Sequence, residues 1–388
     1  MRKLLMLLAV LGLLLAVLPA GAGPDTEAID NEVDQIFRKS KTVGGSVVVM
    51  KDGEMVYARD YGYRNLNRRL PVDENTYFKM GCVTKMASSL AMFQLIDDGT
   101  LDLDADISAV FGYEIKNPHY PKTPITLRQL LSHTSSVSEA GGYNNLRSTV
   151  EQMLSAKSRR PSNFRKVQPG SNYRYSNFGS GLVGSMVEQV SGLSLNRFVT
   201  DRLFAPLGMD ASLSASWLKS PEDVASVYEN GKLSRAGSRY VNENYEDFPS
   251  PETHYRVMVG SLFIRSRDLA RLGVALCGDG SVDGVQLLSP EMVQLMRQPQ
   301  HTLGKSVTGE SPYGLFLERN TRVLPGHTVY GHQGMLGGAS NNVFFEPESG
   351  FVVVITNNGS SQVRDHGTIV LAQRMLRYLY PIYSGNQE

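Results

Sequence analysis

Residues 81–93 decide the fold, and their sequence is GCVTKMASSLAMF. From Val83 onward, apolar residues recur every three or four positions, which is the spacing of a buried helix face. The pattern also predicts that this helix stops at Gly99. Cys82 then lies at the first turn of a mostly buried helix, and Lys85 lies one turn later on the same face.

The pairing of Cys82 with Lys85 suggests nucleophilic chemistry. A nucleophile at a helix N-terminus is favoured by the helix dipole and by backbone N–H groups that have no partner within the helix. A lysine one turn away can accept the thiol proton or stabilise the thiolate. By itself, the pattern also fits an ordinary helix start with a packed cysteine and a surface lysine.

Two further segments carry groups suited to acyl chemistry. Tyr175 and Asn177 follow a Pro-Gly pair, so a phenol that can share protons and an amide that can bind a carbonyl can face one cleft. Residues 331–335 (GHQGM) precede a strand-like run, where a glycine lets a substrate approach the strand edge closely. A free backbone N–H at that edge could complete an oxyanion hole. Taken singly, these segments also fit a plain loop and a structural histidine.

The order of the strand and helix patterns predicts an α+β fold. Near the chain ends, strand patterns occur at residues 46–50, 55–58, 342–345 and 351–356, and helix patterns at about 26–38 and 367–380. The last helix is expected to end at Pro381. We expect an antiparallel β-sheet flanked by helices from about residues 28–99 and 250–385, beside an all-helical lobe of about 100–249. The active site is expected in the groove between them, and residues 231–256 are expected to form a polar surface loop.

The first 22 residues match a secretory signal peptide. Arg2 and Lys3 precede an apolar run at residues 4–18, and small residues at 20–22 suit cleavage after Ala22. The alternative is a membrane anchor, but the run is shorter than the ~20 residues that span a bilayer. We therefore expect residues 23–388 to form an exported domain, secreted or periplasmic, with no membrane contact beyond the signal peptide.

The composition argues against nucleic acid as a partner and against a bound metal or cofactor. Lys plus Arg number 39 and Asp plus Glu number 38, so no basic excess favours nucleic acid. The seven histidines are scattered without His-x-x-x-His spacing, and we expect neither a metal nor a cofactor. Cys277 ends an apolar helical stretch and is expected to be a structural thiol, not a disulfide partner. The partner is expected to be a small-molecule or peptide substrate, and the sequence leaves the oligomeric state open.

In this order, the three segments resemble the motifs of the serine β-lactamase and penicillin-binding-protein superfamily, in particular its class C-like branch of esterases, D-amino-acid peptidases and carboxypeptidases. The motifs Ser-x-x-Lys, Tyr-x-Asn and His-x-Gly stand here as Cys82-Val83-Thr84-Lys85, Tyr175-Ser176-Asn177 and His332-Gln333-Gly334. Residues 130–135, 203–209 and 260–270 are similar as well. The resemblance covers roughly residues 28–380 and implies a β-lactamase/transpeptidase-like fold.

The resemblance also implies a role for each matched residue. Cys82 would be the nucleophile that forms an acyl-enzyme, and Lys85 and Tyr175 would handle its proton. The backbone N–H groups of Cys82 and Met335 would form the oxyanion hole. The residues expected to bind the substrate are Asn177, His332 and Gly334, with His332 lining the cleft beside Tyr175.

Cys82 stands where the superfamily has serine, and three interpretations follow. The chain is a natural thiol enzyme that forms a thioester, a weakened or inactive member that binds cell-wall peptides without turnover, or a protein whose serine was exchanged for cysteine to study the site. Because every matched partner of the nucleophile is present, we expect a competent hydrolase or acyl transferase. Its expected substrates are small amides or esters, namely D-amino-acid-containing peptides, β-lactams or esters.

Overall fold

The computed structural model describes residues 25–143, 148–157, 161–242, 250, 253–300 and 313–385. The signal peptide predicted for residues 1–22 lies outside this part of the chain. None of the helices in the described part combines the length and the hydropathy that a membrane-spanning segment needs.

The described residues form a mixed α/β structure. Its helices are α1 (Thr26–Lys39), α2 (Val83–Asp97), α3 (Ser108–Phe111), α4 (Leu127–Leu131), α5 (Val150–Leu154), α6 (Asn177–Ser191), α7 (Leu195–Val199), α8 (Gly237–Val241), α9 (Val257–Gly260), α10 (Ser266–Cys277), α11 (Pro290–Arg297) and α12 (Val370–Tyr383). Its strands are β1 (Gly44–Lys51), β2 (Glu54–Asn65), β3 (Leu70–Pro71), β4 (Tyr77–Lys79), β5 (Val227–Glu229), β6 (Lys232–Arg235), β7 (Phe263–Arg265), β8 (Ser281–Val282), β9 (Val285–Gln286), β10 (Glu318–Asn320), β11 (Val329–Leu336), β12 (Ala339–Glu346), β13 (Phe351–Asn357), β14 (Arg364–Asp365) and β15 (Thr368–Ile369).

One antiparallel sheet of seven strands holds the two ends of the chain together. Its order is β10-β11-β12-β13-β1-β2-β3, so strands from the C-terminal part pair directly with strands from the N-terminal part. In the central pairing, Val48 lies opposite Val354. This confirms the predicted α+β fold class, an antiparallel sheet built from both chain ends and flanked by helices.

The central strand β1 is buried on both faces, which explains its unbroken apolar sequence. Val47 and Val49 pack in the apolar cluster that includes α1 and α12. Val48 and Met50 belong to the larger cluster that includes α2 and α10. Because successive side chains of a strand point to opposite faces, one short strand anchors both helical layers.

Two expectations from the sequence pattern are wrong. Helix α12 does not end at Pro381 but continues to Tyr383, because a proline in the last turn removes only one hydrogen bond. Residues 231–256 are not simply a surface loop, because their described part includes β6 and α8. Tyr240 in α8 is buried, and its ring packs edge-on against Phe263 at 5.4 Å between centroids.

The start of α6 shows how local sequence places a functional segment. Ser176 precedes the helix, and its hydroxyl accepts a hydrogen bond from the Gly179 N–H at 2.9 Å. Gly192 ends the helix in the left-handed conformation. Asn177 is thereby the first residue of a buried helix, and Tyr175 lies just before it. The predicted division into lobes near residues 99 and 250 stays a prediction.

Candidate active site

Cys82 lies at the N-terminus of α2, where β4 turns into the helix. It is the residue immediately before the helix, and its side chain does not cap the helix. Gly81 makes the turn with φ of +56°, in the left-handed region that favours glycine. Cys82 is partly exposed and lines an open groove of about 1050 Å³.

Lys85 is fully buried beneath Cys82. Its Nζ donates hydrogen bonds to Asn177 Oδ1 at 3.0 Å and to the Val259 carbonyl at 2.9 Å. The same Nζ lies 5.1 Å from the centroid of the Tyr175 ring. The structure therefore brings the first two motifs together around one ammonium group, and Lys85 is not a surface lysine.

Burial gives Lys85 and Tyr175 opposite protonation preferences. Burial lowers the pKa of Lys85, and the attraction of a Cys82 thiolate, Glu139 and Glu318 opposes this only in part. Burial raises the pKa of Tyr175 well above its usual value, and the Cys82 thiolate adds to the rise. Burial therefore favours the uncharged amine of Lys85 and the protonated phenol of Tyr175.

The glycine edge of β11 packs directly on the start of α2. A Cβ added to Gly334 would lie 2.0 Å from the Met80 carbonyl oxygen and 3.0 Å from the Cys82 amide nitrogen. On the other side of this contact, a Cβ on Gly81 would lie 3.1 Å from the Met335 amide nitrogen. The two amides expected to form the oxyanion hole thus belong to backbones in close contact, and Met335 also lines the groove.

His332 lies beside Tyr175, with 6.4 Å between ring centroids, but it does not line the described groove. Its side chain is only 1% exposed, and Tyr313 covers it with a contact of 3.1 Å between Oη and Nε2. Its Nδ1 lies 2.7 Å from the Gln333 carbonyl oxygen, so Nδ1 carries the proton. Burial lowers the pKa of His332 to about 3. The expectation that His332 lines the cleft is corrected: it is a neutral group beneath Tyr175.

Two acidic residues near the site carry no sequence signal. Glu318 in β10 is buried, and its Oε2 accepts a hydrogen bond from the Gln333 side chain at 2.9 Å. Its pKa is raised by burial to about 7. Glu139 accepts a hydrogen bond from the Asn177 N–H. Neither residue belongs to a motif, and only the tertiary fold brings them to β11 and α6.

The second thiol, Cys277, is buried, whereas Cys82 is partly exposed. Cys277 is buried at the end of α10, with its Sγ 3.6 Å from the Glu346 carbonyl oxygen. Burial raises its pKa to about 12. Both cysteines are free thiols, so Cys277 is a structural residue, as expected.

Comparisons with known proteins identify a family model, curated relatives and solved structures that match most of the chain. A family model described as Beta-lactamase matches residues 29–374. Penicillin-binding protein 4 of Amycolatopsis lactamdurans is 26% identical over 344 residues, which is 84% of this chain and 83% of that protein. Protein flp of Staphylococcus aureus (strain N315) is 22% identical over 345 residues, covering 87% of this chain. The match spans 64% of the length of protein flp, a little under two thirds.

Among solved structures, the D-amino acid amidase from Ochrobactrum anthropi SV3 complexed with D-phenylalanine is similar in fold. The TM-score is 0.69 at 19% identity, and the match covers 93% of this chain and 99% of the amidase. The observed sheet and helices therefore match the β-lactamase/transpeptidase fold that the sequence predicts.

Substituting Gly334→Ala is expected to separate β11 from the start of α2. The added Cβ has no room beside the Met80 carbonyl oxygen, so the strand must shift and carry the Met335 amide with it. Because loss of one oxyanion-hole donor costs about 10²–10³ in rate, we expect a loss of that order in acylation of Cys82. Gly179→Ala is the matched control, since its added Cβ would meet no atom closer than 3.4 Å. Equal acylation rates in the two variants would contradict the proposed packing constraint.

Substituting Glu318→Gln is expected to change how stability depends on pH. A carboxyl whose pKa rises from 4.5 to about 7 on folding binds more protons in the native state between these values, so its contribution falls as pH rises through this window. Relative to the variant, the wild type should lose about 3 kcal/mol of unfolding free energy from pH 4.5 to pH 7, and little more above it. Denaturant unfolding of both proteins at each pH measures this difference. A difference that stays constant with pH would show that Glu318 ionises normally.

Proposed function

Because the chain belongs to the beta-lactamase family, we propose that it is a hydrolase that cleaves a small amide or ester through an acyl-thioester on Cys82. The observation that carries this proposal is the thiol itself. It faces an open groove at a helix N-terminus, next to a buried lysine whose pKa is lowered. That combination supplies a nucleophile, a proton acceptor and access for a substrate.

In the acylation step, Cys82 transfers its thiol proton to Lys85, and the sulfur attacks the substrate carbonyl carbon. A C–S bond forms, and the carbonyl π-electrons move to oxygen, where the amides of Cys82 and Met335 stabilise the negative charge. The tetrahedral intermediate collapses, the C–N or C–O bond breaks, and the leaving group takes a proton delivered from Lys85 through Tyr175. The products are an acyl-thioester and a free amine or alcohol.

In the deacylation step, water attacks the thioester carbonyl, and Lys85 accepts the proton of the water. The C–S bond breaks, the thiolate of Cys82 is protonated again, and a carboxylic acid is released. An amine can replace water in this step, in which case the product is an amide and the reaction is acyl transfer. Asn177 lines the groove and supplies a carboxamide to hold the substrate.

The substrate class is proposed from the sequence motifs and from the proteins to which this chain is similar. We propose the class C-like branch, because the third motif is His-x-Gly and the first is a nucleophile three residues before a lysine. Two of the three compared proteins are a penicillin-binding protein and a D-amino acid amidase by name, which supports D-amino-acid-containing peptides and amides as the first substrates to test. β-Lactams and simple esters react by the same acyl-enzyme chemistry. Export is proposed from the signal-like residues 1–22, and such substrates occur outside the cytoplasm.

Removing the lysine should slow the reaction of Cys82 at neutral pH. In a Cys277→Ser background, we expect iodoacetamide to alkylate Cys82 about 10–100-fold faster in the otherwise wild-type protein than in Lys85→Met at pH 7. The difference should shrink as pH rises past about 8.5, where thiols ionise unaided. Thermal unfolding checks that Lys85→Met is folded, since methionine replaces a buried charge by a side chain of similar length. Equal alkylation rates at pH 7 would remove Lys85 from the proposed role.

Acylation of residue 82 is the direct test of the proposed function. The substrates are a D-Ala-D-Ala peptide, a D-amino-acid amide, a simple ester and a chromogenic cephalosporin, each incubated with the wild type, Cys82→Ser and Cys82→Ala. We expect turnover and an acyl adduct on Cys82 by intact-mass spectrometry, and neither in Cys82→Ala. Turnover by Cys82→Ser alone, with binding but no adduct in the wild type, would identify a binding protein that has lost catalysis.

A further inference from the structure

In the proposed acylation step, proton transfer from Cys82 creates an ammonium group on Lys85 inside the protein. Lys85 is fully buried, and it donates hydrogen bonds to two neutral acceptors, Asn177 Oδ1 and the Val259 carbonyl oxygen. A buried cation is costly unless a negative charge compensates it. The ease of proton transfer therefore depends on which carboxylates act on this lysine.

Two carboxylates act on Lys85, and they differ in burial. Burial lowers the pKa of Lys85, and the Cys82 thiolate opposes this shift most strongly. Glu139 and Glu318 also oppose it. Glu139 is partly exposed, so water screens its charge, whereas Glu318 is only 4% exposed. Because a buried charge is screened much less than a surface charge, Glu318 is the more effective partner for a buried cation.

Glu318 in β10 is held at the back of the site by β11. Its Oε1 accepts a hydrogen bond from the Gln333 N–H at 3.3 Å, and its Oε2 accepts one from Gln333 Nε2 at 2.9 Å. The same Oε1 lies 3.7 Å from His332 Nδ1. The two donors of Gln333 are neutral, so they fix the carboxyl group without cancelling its charge.

Two rings connect Glu318 to Lys85. The centroid of the His332 ring lies 6.4 Å from that of the Tyr175 ring, which in turn lies 5.1 Å from Lys85 Nζ. Burial lowers the pKa of His332 to about 3 and raises that of Tyr175 well above its usual value. Both rings are therefore uncharged near neutral pH, and they leave the attraction between an ionised Glu318 and a protonated Lys85 uncompensated.

The charge of Glu318 changes near neutral pH. Burial raises its pKa to about 7, against the opposing effect of the hydrogen bonds from Gln333. Among the described residues, it interacts with the titratable side chains of Lys85 in α2, Tyr175 before α6, Tyr313, His332 in β11 and Arg364 in β14. Near neutral pH, the guanidinium stays charged, and the phenols and the imidazole stay uncharged. Within this set, only the charges of Glu318 and Lys85 can therefore change.

We propose that ionised Glu318 is the buried counter-charge of the Lys85 ammonium group, so that ionisation of Glu318 makes Cys82 a better nucleophile. Glu318 is not among the described residues that line the groove, and it acts through Lys85 as a positioning residue. Cys82 is partly exposed, so water screens its thiolate from Glu318 more than it screens the buried ammonium. This inference rests on the proposed role of Lys85 and adds a residue outside the three motifs.

The rate of alkylation of Cys82 as a function of pH tests the counter-charge. In the Cys277→Ser background, iodoacetamide is reacted with the otherwise wild-type protein and with Glu318→Gln, whose carboxamide can still accept from Gln333 but cannot ionise. We expect equal rates near about pH 5.5, where Glu318 is protonated. Near about pH 8, the protein with Glu318 should react about 10-fold faster, the effect of a tenfold change in the proton affinity of Lys85. A rate ratio that does not change with pH would overturn the proposal.

The lysine distinguishes an electrostatic role of Glu318 from a structural one. In Lys85→Met there is no ammonium to compensate, so adding Glu318→Gln should slow alkylation at about pH 8 by less than about twofold. Equal slowing with and without Lys85 would show that Glu318 only supports the fold. Glu346→Gln is the matched control, because Glu346 is a buried glutamate of the same sheet that bonds to Ser349 and Tyr380. It should leave the rate unchanged at each pH.

A second measurement follows the lysine itself. In an NMR titration of protein labelled with ¹³C at lysine Cε, the signal of Lys85 is assigned by its loss in Lys85→Met. Its pKa should be lower in Glu318→Gln than in the wild type, and an unchanged pKa would contradict the counter-charge. Thermal unfolding checks that each variant is folded. If Glu318→Gln does not fold, Glu318→Met provides the same comparison with an uncharged side chain of similar length.

The inference and the proposed function fail in different ways, because alkylation by iodoacetamide needs no substrate. If no substrate acylates Cys82 but the rate ratio depends on pH as expected, the proposed function is wrong and the counter-charge stands. If substrates acylate Cys82 and the ratio is constant, the counter-charge is wrong and the proposed function stands.

Discussion

The structure around the site depends on the burial of one lysine side chain, Lys85. A lysine removed from water requires hydrogen-bond acceptors, and Lys85 finds them on two other elements, at Asn177 in α6 and at Val259 in α9. These contacts tie α2 to both helices at the point where Cys82 reaches the groove. The same burial that demands these partners also lowers the pKa of Lys85, so one constraint both fixes the geometry and prepares the proton acceptor.

The second constraint is the close contact between the backbone of β11 and the turn before α2. This contact is possible because glycines at both places have no side chain. Gly334 and Gly81 let β11 lie against the turn before α2, which places the amides of Cys82 and Met335 on one small surface. Beneath β11, Glu318 holds the Gln333 side chain, so the strand is anchored by a buried pair from its neighbour β10.

The sequence predicted the features of the site that depend on neighbouring residues, but not those that depend on contacts between distant parts of the chain. The positions of Cys82 and Lys85 follow from a helix start, where spacing acts over a few positions. Tyr175 and Asn177 were predicted on a turn, whereas Asn177 begins α6. The burial of His332 could not be predicted, because it depends on a contact with Tyr313 that only the tertiary fold creates.

The other features that the sequence did not predict also depend largely on tertiary contacts. Glu139 and Glu318 meet the site through contacts that span the fold, and neither has a characteristic neighbour in the sequence. The role of residues 231–242 was obscured by their polar composition, since a single buried ring, Tyr240, decides where they pack. Propensity also gave the wrong end for α12, because Pro381 is tolerated in its last turn.

A cysteine at the position where the resembled motif has serine changes what the proposed mechanism requires of the surrounding groups. A thiol is far more acidic than a hydroxyl, so its proton passes to a lysine of lowered pKa without strong assistance. A serine at the same position would depend on Lys85 and Tyr175 together for activation. With cysteine, Tyr175 is needed mainly as an acid, because burial keeps its phenol protonated and the departing amine or alcohol requires that proton. In the proposed mechanism, Lys85 takes the thiol proton, and Tyr175 passes a proton from Lys85 to the leaving group.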